Sequence, residues 1–579
     1  MANQYYSQLA VNYCIKLDIQ DDFLQETFIS IVFYYIFLAG DIKLAIECSM
    51  GNVLRRGIRV QKPVDQNMSV RVVDWPAHFN YSSPDKCATI DLASDRRLTY
   101  AELHERVGRL AGHLKSLGIK RGDRVAFLAL NSTDILDIIL ASWRIGAVVL
   151  ALNYRLTAAE LEFIVSDAGA TVLFYDHELD TVVTDLCALV SIEHTIGLDG
   201  MGGPSTFETA VAGGKMIESM IAQGNDDQCM LMYSSGTTGR PKGVIITHGM
   251  IFYAAVNGVP QSMTTSQSVW LSVMPLFHIG GLNVSSLPAL WIGATNVVMR
   301  NFDPELMLDV ISDAELGITH TICVPAMYIA MRQHPKAETS DFSRMVAALA
   351  GGASVPKELV EWWFSRGFTI RDGYGMTESA ASNCISAWDD VPHNLGTSGK
   401  ALMYTQMRIV GPNGEDVPQG QTGEIWMRGP TITPGYWNND AANQKAFEDG
   451  WFKSGDIARR DSSGNFIIED RADDMYISGG ENVYPAEIEG VLYELAAIAE
   501  VAVIGVCDDK WGETGCAVVV FKQGAELSLA DMQAHCSNKL AKFKHPSHMV
   551  FLPALPRNAT GKVKKFELRK SIPPLIFKE

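Results

Sequence analysis

The sequence predicts an α/β protein: a large N-terminal domain of helix-covered, mostly parallel sheets with a β-rich subdomain, followed by a small α+β C-terminal domain. Three observations predict it. From Thr99 onward, helix-period apolar patterns alternate with short continuous apolar runs. Between Tyr404 and Trp426 the runs shorten and alternate, while turn residues multiply. From Pro485 to Lys570 the chain restarts as a compact unit with its own helices and strands.

Each element follows from its residues. Thr99-Tyr-Ala-Glu102 and Thr157-Ala-Ala-Glu160 have the capping-box form, a hydroxyl residue followed three positions later by Glu, and each opens a helical pattern. Arg124–Leu130, Ala147–Leu152 and Thr171–Tyr175 are uninterrupted apolar runs suited to strands buried on both faces. Strands alternating with helices imply a largely parallel sheet covered by helices. Gly411-Pro412-Asn413-Gly414, Pro418, Gly420 and Gly423 punctuate the next stretch and predict antiparallel hairpins. In the C-terminal unit we expect a helix over 486–495, strands over 500–506 and 515–522, and a helix over 529–539, closed by a basic tail. The expected organisation is an extra N-terminal segment (1–67), a large domain (68–472) and a small domain (473–579).

Composition narrows the function classes. A chain of 579 residues with 47% hydrophobic content is too long for a single core and too apolar for disorder. Its net charge of −18 disfavours nucleic acid, and the Lys-rich stretch 539–570 is short. The ten cysteines form no Cys-x-x-Cys pair and no zinc-spaced cluster, as expected of reduced thiols in a cytoplasmic protein without a structural metal. The apolar run Phe28–Ala39 falls short of the roughly 18 to 20 residues that span a bilayer. It follows Asp21, Asp22 and Glu26 rather than a basic stretch, which argues against a secretory signal. An appended leader, a peripheral membrane-contacting helix and an anchor are the readings of that segment, in that order, and Met68 can serve as a start. We expect no stable membrane span, and a homodimer.

The chemistry concentrates in three clusters. Tyr233-Ser-Ser-Gly-Thr-Thr-Gly-Arg-Pro-Lys-Gly243 carries three glycines, four Ser/Thr hydroxyls and two cations directly after an apolar run. Glycines let backbone N–H groups converge on an anion, and the hydroxyls and cations add donors, so the loop suits a polyphosphate. It is not a Walker A loop, because Pro241 stands where the second glycine should be. In Arg371-Asp-Gly-Tyr-Gly-Met-Thr-Glu-Ser379, Thr377 offers a hydroxyl to a phosphate oxygen and Glu378 a hard carboxylate for Mg²⁺, although a Thr-Glu pair alone is ordinarily a helix cap. Asp456 is either a turn residue or an acceptor for two ribose hydroxyls, and Ala350-Gly-Gly-Ala-Ser354 either admits a flat base or is a tight strand-to-helix turn. In Leu555-Pro-Arg-Asn-Ala-Thr-Gly-Lys562, Gly561 presents the Lys562 ammonium on a turn, where it can neutralise developing charge or simply be solvated.

These motifs, with Gly450-Trp-Phe-Lys-Ser-Gly-Asp456, Asp470-Arg471 and Ser478-Gly-Gly-Glu-Asn-Val-Tyr-Pro485, occur in the order found in the adenylate-forming superfamily. From about residue 68 to 570 the chain resembles its acyl-CoA synthetases, most closely the bacterial fatty-acyl-CoA ligases. The resemblance implies that Ser234, Ser235, Gly236, Thr237, Thr238, Gly239 and Lys242 wrap the β- and γ-phosphates of ATP. Gly351, Gly352, Ala353, Asp372, Gly373 and Tyr374 would line the adenine, Thr377 would contact the α-phosphate, and Glu378 would bind Mg²⁺. Asp456 and Arg471 would hold the ribose. Asp473 would be the hinge of a mobile C-terminal domain, Lys562 the adenylation lysine, and Gly479 and Gly480 the lining of the coenzyme A tunnel. His278 matches an aromatic gate beside the acyl site, with Gly281 and Asn283 in the same wall. The expected substrate is an apolar monocarboxylic acid, a fatty acid first. An aryl acid, an amino-acid or aryl-acid activator serving a carrier protein, a luciferase-like oxygenase and a non-enzymatic ATP- or acyl-binding scaffold are the alternatives.

Overall fold

The computed structural model describes residues 71–572 apart from 235–240, 353–354, 392, 394, 472–473, 479–480, 509–510, 538, 541 and 558–562; residues 470, 471, 477, 481 and 482 are described by their backbone only. Four sheets organise the described residues. A six-stranded sheet runs His194–Leu198, Ala170–Asp176, Arg124–Leu128, Val148–Leu152, Gln228–Ser234, Lys242–Thr247, in that spatial order. Its first five strands are parallel, and the last pair is an antiparallel hairpin. A nine-stranded sheet is parallel through its middle, from Ile370–Tyr374 to Cys87–Asp91, and antiparallel at both edges. The predicted apolar runs at 124, 147 and 171 are thus three neighbouring parallel strands, displaced by no more than two residues at either end.

Both capping boxes form. Glu102 N–H donates to Thr99 Oγ1 at 3.2 Å and Thr99 N–H to Glu102 Oε2 at 2.7 Å, opening helix Tyr100–Ser116. Thr157 and Glu160 do the same at 3.4 and 2.8 Å for helix Ala158–Ala168. Two orphan amide donors are satisfied at each start, which is why these boundaries are set locally. Helix Thr133–Arg144 is buried along its whole length. Its charges survive there because each has a partner: Asp137 meets Arg106 at 2.8 Å, Arg144 meets Asp74 at 2.8 Å, and Asp134 pairs with Arg96.

The predicted hairpin region is antiparallel: Gln406–Val410 pairs with Gly423–Arg428, which pairs with Trp451–Arg460. One core cluster joins these strands to both large sheets, bringing together Val125 and Val149, Ala88 and Val298, and Ile425 and Met427. The fourth sheet, from Tyr476–Ser478 onward, centres on the long antiparallel pair Ile498–Asp508 and Gly512–Phe521, flanked by helices Pro485–Leu492 and Leu529–Ser537. Its apolar side chains form clusters of their own around Val503, Val519, Ile504 and Val518. The four C-terminal elements expected from the sequence are present, with shifted ends. No helix among the described residues is long and apolar enough to cross a membrane.

Candidate active site

The site lies where strand ends of the two large sheets meet the antiparallel sheet. Strand Gln228–Ser234 delivers Tyr233 and Ser234, and Lys242 begins the return strand opposite Ser234. The Tyr233 hydroxyl donates to Asp167 Oδ2 at 2.5 Å, and the backbone carbonyl of Asp167 accepts Trp437 Nε1–H at 3.0 Å. The base of the loop is therefore pinned on two sides. Ser235, Gly236, Thr237, Thr238 and Gly239, the turn itself, lie outside the described residues.

Glu378 sits in a single 3₁₀ turn, Thr377–Ser379, rather than at the start of a longer helix, which removes the cap reading of this pair. It is 7% exposed, and its Oε1 accepts the Tyr436 hydroxyl at 3.0 Å and, more weakly, Ser234 Oγ–H at 3.5 Å. Lys242 Nζ lies over the Tyr436 ring, 5.1 Å from its centroid. One aromatic side chain thus brings the loop cation and the carboxylate together. Segment 433–437 also laces the site through its backbone. Thr433 N–H donates to the Glu378 carbonyl at 2.7 Å, Ile245 N–H to the Gly435 carbonyl at 3.1 Å, and Trp437 N–H to the Gly243 carbonyl at 2.7 Å. The sequence reading missed this lacing segment. Its only local signal is Pro434-Gly435 ahead of an aromatic, which reads as an ordinary turn.

Tyr374 and Asp456 come together although 82 positions separate them: the tyrosine hydroxyl donates to Asp456 Oδ2 at 2.7 Å. Asp456 is cross-strand partner to Arg471 along the backbone, the side chain of Arg471 being outside the described residues. Asp372 accepts Ser398 Oγ–H at 3.4 Å, and desolvation pushes its carboxyl up to about 8. Gly373 lies between Asp372 and Tyr374. Gly351 and Gly352 follow strand Ala347–Ala350 and precede helix Lys357–Phe364, so the small-residue segment is a strand-to-helix turn at the mouth of the sheet. Ala353 lies outside the described residues, as do Asp473, Gly479, Gly480 and Lys562.

The wall expected to face the acid is built differently. His278 Nδ1 accepts Gly280 N–H at 3.3 Å and caps a short turn, Ile279–Gly281, that continues as a π-helical turn, Leu282–Ser286. A side chain at Gly281 would collide with the Pro275 carbonyl, 2.3 Å from where its Cβ would stand, so this glycine is required by close packing. Asn283 is buried and donates from Nδ2 to the Ala380 carbonyl at 2.6 Å, joining this wall to the turn that carries Glu378. The backbone there is strained: Ala380 and Ala381 have φ of 56° and 99°. Gly375 accommodates them, since a Cβ on it would lie 1.3 Å from the Ala381 carbonyl oxygen.

A cavity of about 10 Å³ opens between these elements, lined by Ala254, Gly258, Ser262, Asn283, Leu349 and Ile385, among others. The first three stand four positions apart on helix His248–Ser262, so they share one face. The sequence reading placed His278, Gly281 and Asn283 in the wall and did not include this helix. The signal was available as small residues recurring at helical spacing.

The donor set fits Mg²⁺. Glu378 offers hard carboxylate oxygen next to hydroxyls, and among the described residues no group of three His, Cys, Asp or Glu side chains could cage a metal alone. A site of that kind takes one protein carboxylate with phosphate oxygens and water.

A core joining two mostly parallel sheets to an antiparallel one, with Ser234 and Lys242 at the base of a hairpin beside a buried Glu, defines a nucleotide-using ligase of the adenylate-forming type. Comparison with known proteins agrees. The model of the AMP-binding enzyme family matches residues 77–437, and that of the AMP-binding enzyme C-terminal domain matches 487–562. The chain is 38% identical to a feruloyl-CoA synthase of Amycolatopsis sp., over 86% of this chain and 98% of that one. It is 35% identical to a long-chain-fatty-acid–CoA ligase of Mycobacterium tuberculosis, over 84% and 96%. Among solved structures, ATP-bound MatB from Rhodopseudomonas palustris superposes with a TM-score of 0.80 at 31% identity, covering 87% of this chain and 99% of that one. The chain belongs to the AMP-binding enzyme family of the adenylate-forming superfamily and is one of its ATP-dependent acyl-CoA ligases. Ligases of this class use ATP, Mg²⁺ and coenzyme A.

Proposed function

We propose that this ligase activates a compact aromatic monocarboxylic acid rather than a long-chain fatty acid. The carrying observation is the lining of the void beside the wall expected to face the acid: Leu349 and Ile385 border it together with the small-residue helix face of Ala254, Gly258 and Ser262. A long alkyl chain needs an extended tunnel, whereas a flat ring needs a slot between closely approaching backbones, which small side chains on one helix face supply. The resemblance to a feruloyl-CoA synthase at 38% identity supports the same class, and the fatty-acid ligase at 35% keeps the aliphatic reading second.

In the first half-reaction the acid's carboxylate oxygen attacks the α-phosphorus of ATP, the bond to the leaving pyrophosphate breaks, and acyl-AMP forms. Ser234 and Lys242, with Ser235 to Gly239, hold the β- and γ-phosphates, Thr377 the α-phosphate, and Asp456 with Arg471 the ribose. Gly351 to Ala353 and Asp372 to Tyr374 line the adenine. Glu378 would hold Mg²⁺, which would supply neutralisation of charge on the phosphate oxygens. Tyr436 keeps the Glu378 carboxylate aimed by its hydroxyl. Lys562 adds the last cation at this step. In the second half-reaction the coenzyme A thiolate attacks the acyl carbon and AMP leaves, so no enzyme nucleophile is needed. Lys562 serves the first step and Gly479–Gly480 the second, and a swing of the small domain (473–579) about Asp473 presents each in turn.

Pyrophosphate release measured across phenylpropenoic, benzoic, amino and straight-chain fatty acids tests the substrate class. The expected order places ring acids at least about tenfold above long-chain acids in kcat/KM. A rate that climbs with chain length would overturn the aromatic reading, and activity confined to amino acids would overturn the apolar monocarboxylate class.

A further inference from the structure

The strand that carries Asp456 is interrupted by a bulge ending at that residue. Glu424 stands opposite Ile457 and Trp426 opposite Lys453, so Ser454, Gly455 and Asp456 all face the single residue Ile425. Gly455 turns the chain there with a φ of 72°, a conformation that favours glycine. Without the bulge Asp456 would stand opposite Gly423, two residues or about 7 Å further along, out of reach of the Tyr374 hydroxyl that now meets its Oδ2. Bulges take backbone groups out of the ladder, and beside active sites they re-aim a side chain. Two side chains hold the backbone groups of this one. Glu424 Oε1 accepts Gly455 N–H at 2.9 Å. Ser454 Oγ–H donates to the Ile425 carbonyl at 2.7 Å, its oxygen accepts Asp456 N–H at 3.0 Å, and the same hydroxyl stands beside that of Tyr374. Glu424 is held in turn. Its Oε2 accepts Trp426 Nε1–H at 3.1 Å, and Trp426 is flanked by its cross-strand neighbours Arg408 and Lys453, each 5.6 Å from the ring centroid.

We propose that Glu424 and Ser454 are positioning residues for nucleotide recognition: they hold the bulge closed and so aim the Asp456 carboxylate at the ribose hydroxyls. The inference rests on the ribose role of Asp456 given under the proposed function. Both residues act through Asp456, so losing either blunts recognition of the 2′- and 3′-hydroxyls and leaves the phosphate contacts in place. A general loosening of the sheet would instead weaken every nucleotide alike.

The test is calorimetric binding of ATP, 2′-deoxyATP and 3′-deoxyATP, each with Mg²⁺, to the full-length enzyme, which needs no knowledge of the acid. The wild type binds ATP about tenfold or more tighter than the deoxynucleotides, and Asp456→Ala brings that ratio to about one. Glu424→Ala and Ser454→Ala each lower it to about threefold or less. Glu424→Gln keeps it, because the amide oxygen still accepts Gly455 N–H. The two alanine variants approach the bulge from different side chains, so if one does not fold the other decides. A wild type that binds all three nucleotides within about twofold, or a ratio that survives Asp456→Ala, removes the ribose role and the positioning role with it. If Asp456→Ala erases the ratio while Glu424→Ala or Ser454→Ala leaves it intact, the positioning assignment of that residue alone is overturned, even where all three affinities fall together.

Discussion

The nucleotide side and the acid side of the site are held by opposite means. Around Glu378, polar groups are tied several times over: Tyr436 and Ser234 reach its carboxylate, Thr433 reaches its backbone carbonyl, and Tyr374 fixes Asp456. Around the cavity proposed for the acid the wall is made of small and aliphatic side chains with one buried asparagine. The first arrangement suits chemistry that does not vary with the acid, since preorganised donors and charges stabilise the same phosphoryl transition state each time. The second suits selection, where shape chooses among acids.

If that division holds, substitutions on the nucleotide side change the rate for every acid in proportion, and those on the acid side reorder the acids at a constant KM for ATP. Lys562→Ala carries the largest expected effect. Acyl-AMP formation falls about 10²- to 10³-fold for all acids, while thioester formation from supplied acyl-AMP is retained. Single-turnover assays of each half-reaction check it, and equal loss of both would remove Lys562 from the first step alone. Glu378→Gln comes next, with adenylation down about 10²-fold and a raised Mg²⁺ requirement, read from rate against Mg²⁺ concentration. Gly258→Val should cost ring acids about tenfold or more with no change in the KM for ATP, because a branched side chain enters the cavity. A uniform loss across acids and ATP would break the division. The smallest effect is that of Tyr436→Phe, which removes one hydrogen bond to a carboxylate and should cost about tenfold or less in adenylation, equally for all acids.

Legibility from the sequence tracked how local each feature is. The helices after Thr99 and Thr157 were readable because each capping box is a contract among four adjacent residues. The buried strands were readable because nothing polar interrupts them. Glu378 and Asp456 were found through motifs, but what those motifs meet was not. The bond from Tyr436 to Glu378 joins positions 58 apart, and nothing near Tyr436 announces it. The helix face of Ala254, Gly258 and Ser262 escaped for a different reason: small residues on a helix ordinarily mean close helix packing, and only the neighbouring strand and π-turn show that here they border space.

Thr247 links the two sides in one stretch of chain. It ends the return strand of the phosphate hairpin, and its hydroxyl accepts Met250 N–H at 3.2 Å to start helix His248–Ser262. On the proposed function, the anchored end of that helix belongs to the reaction and its cavity-facing residues to the acid, two to four turns further on. New acids can therefore be acquired during divergence by single exchanges at positions 254, 258 or 262, with the anchored end and the loop before it inherited unchanged.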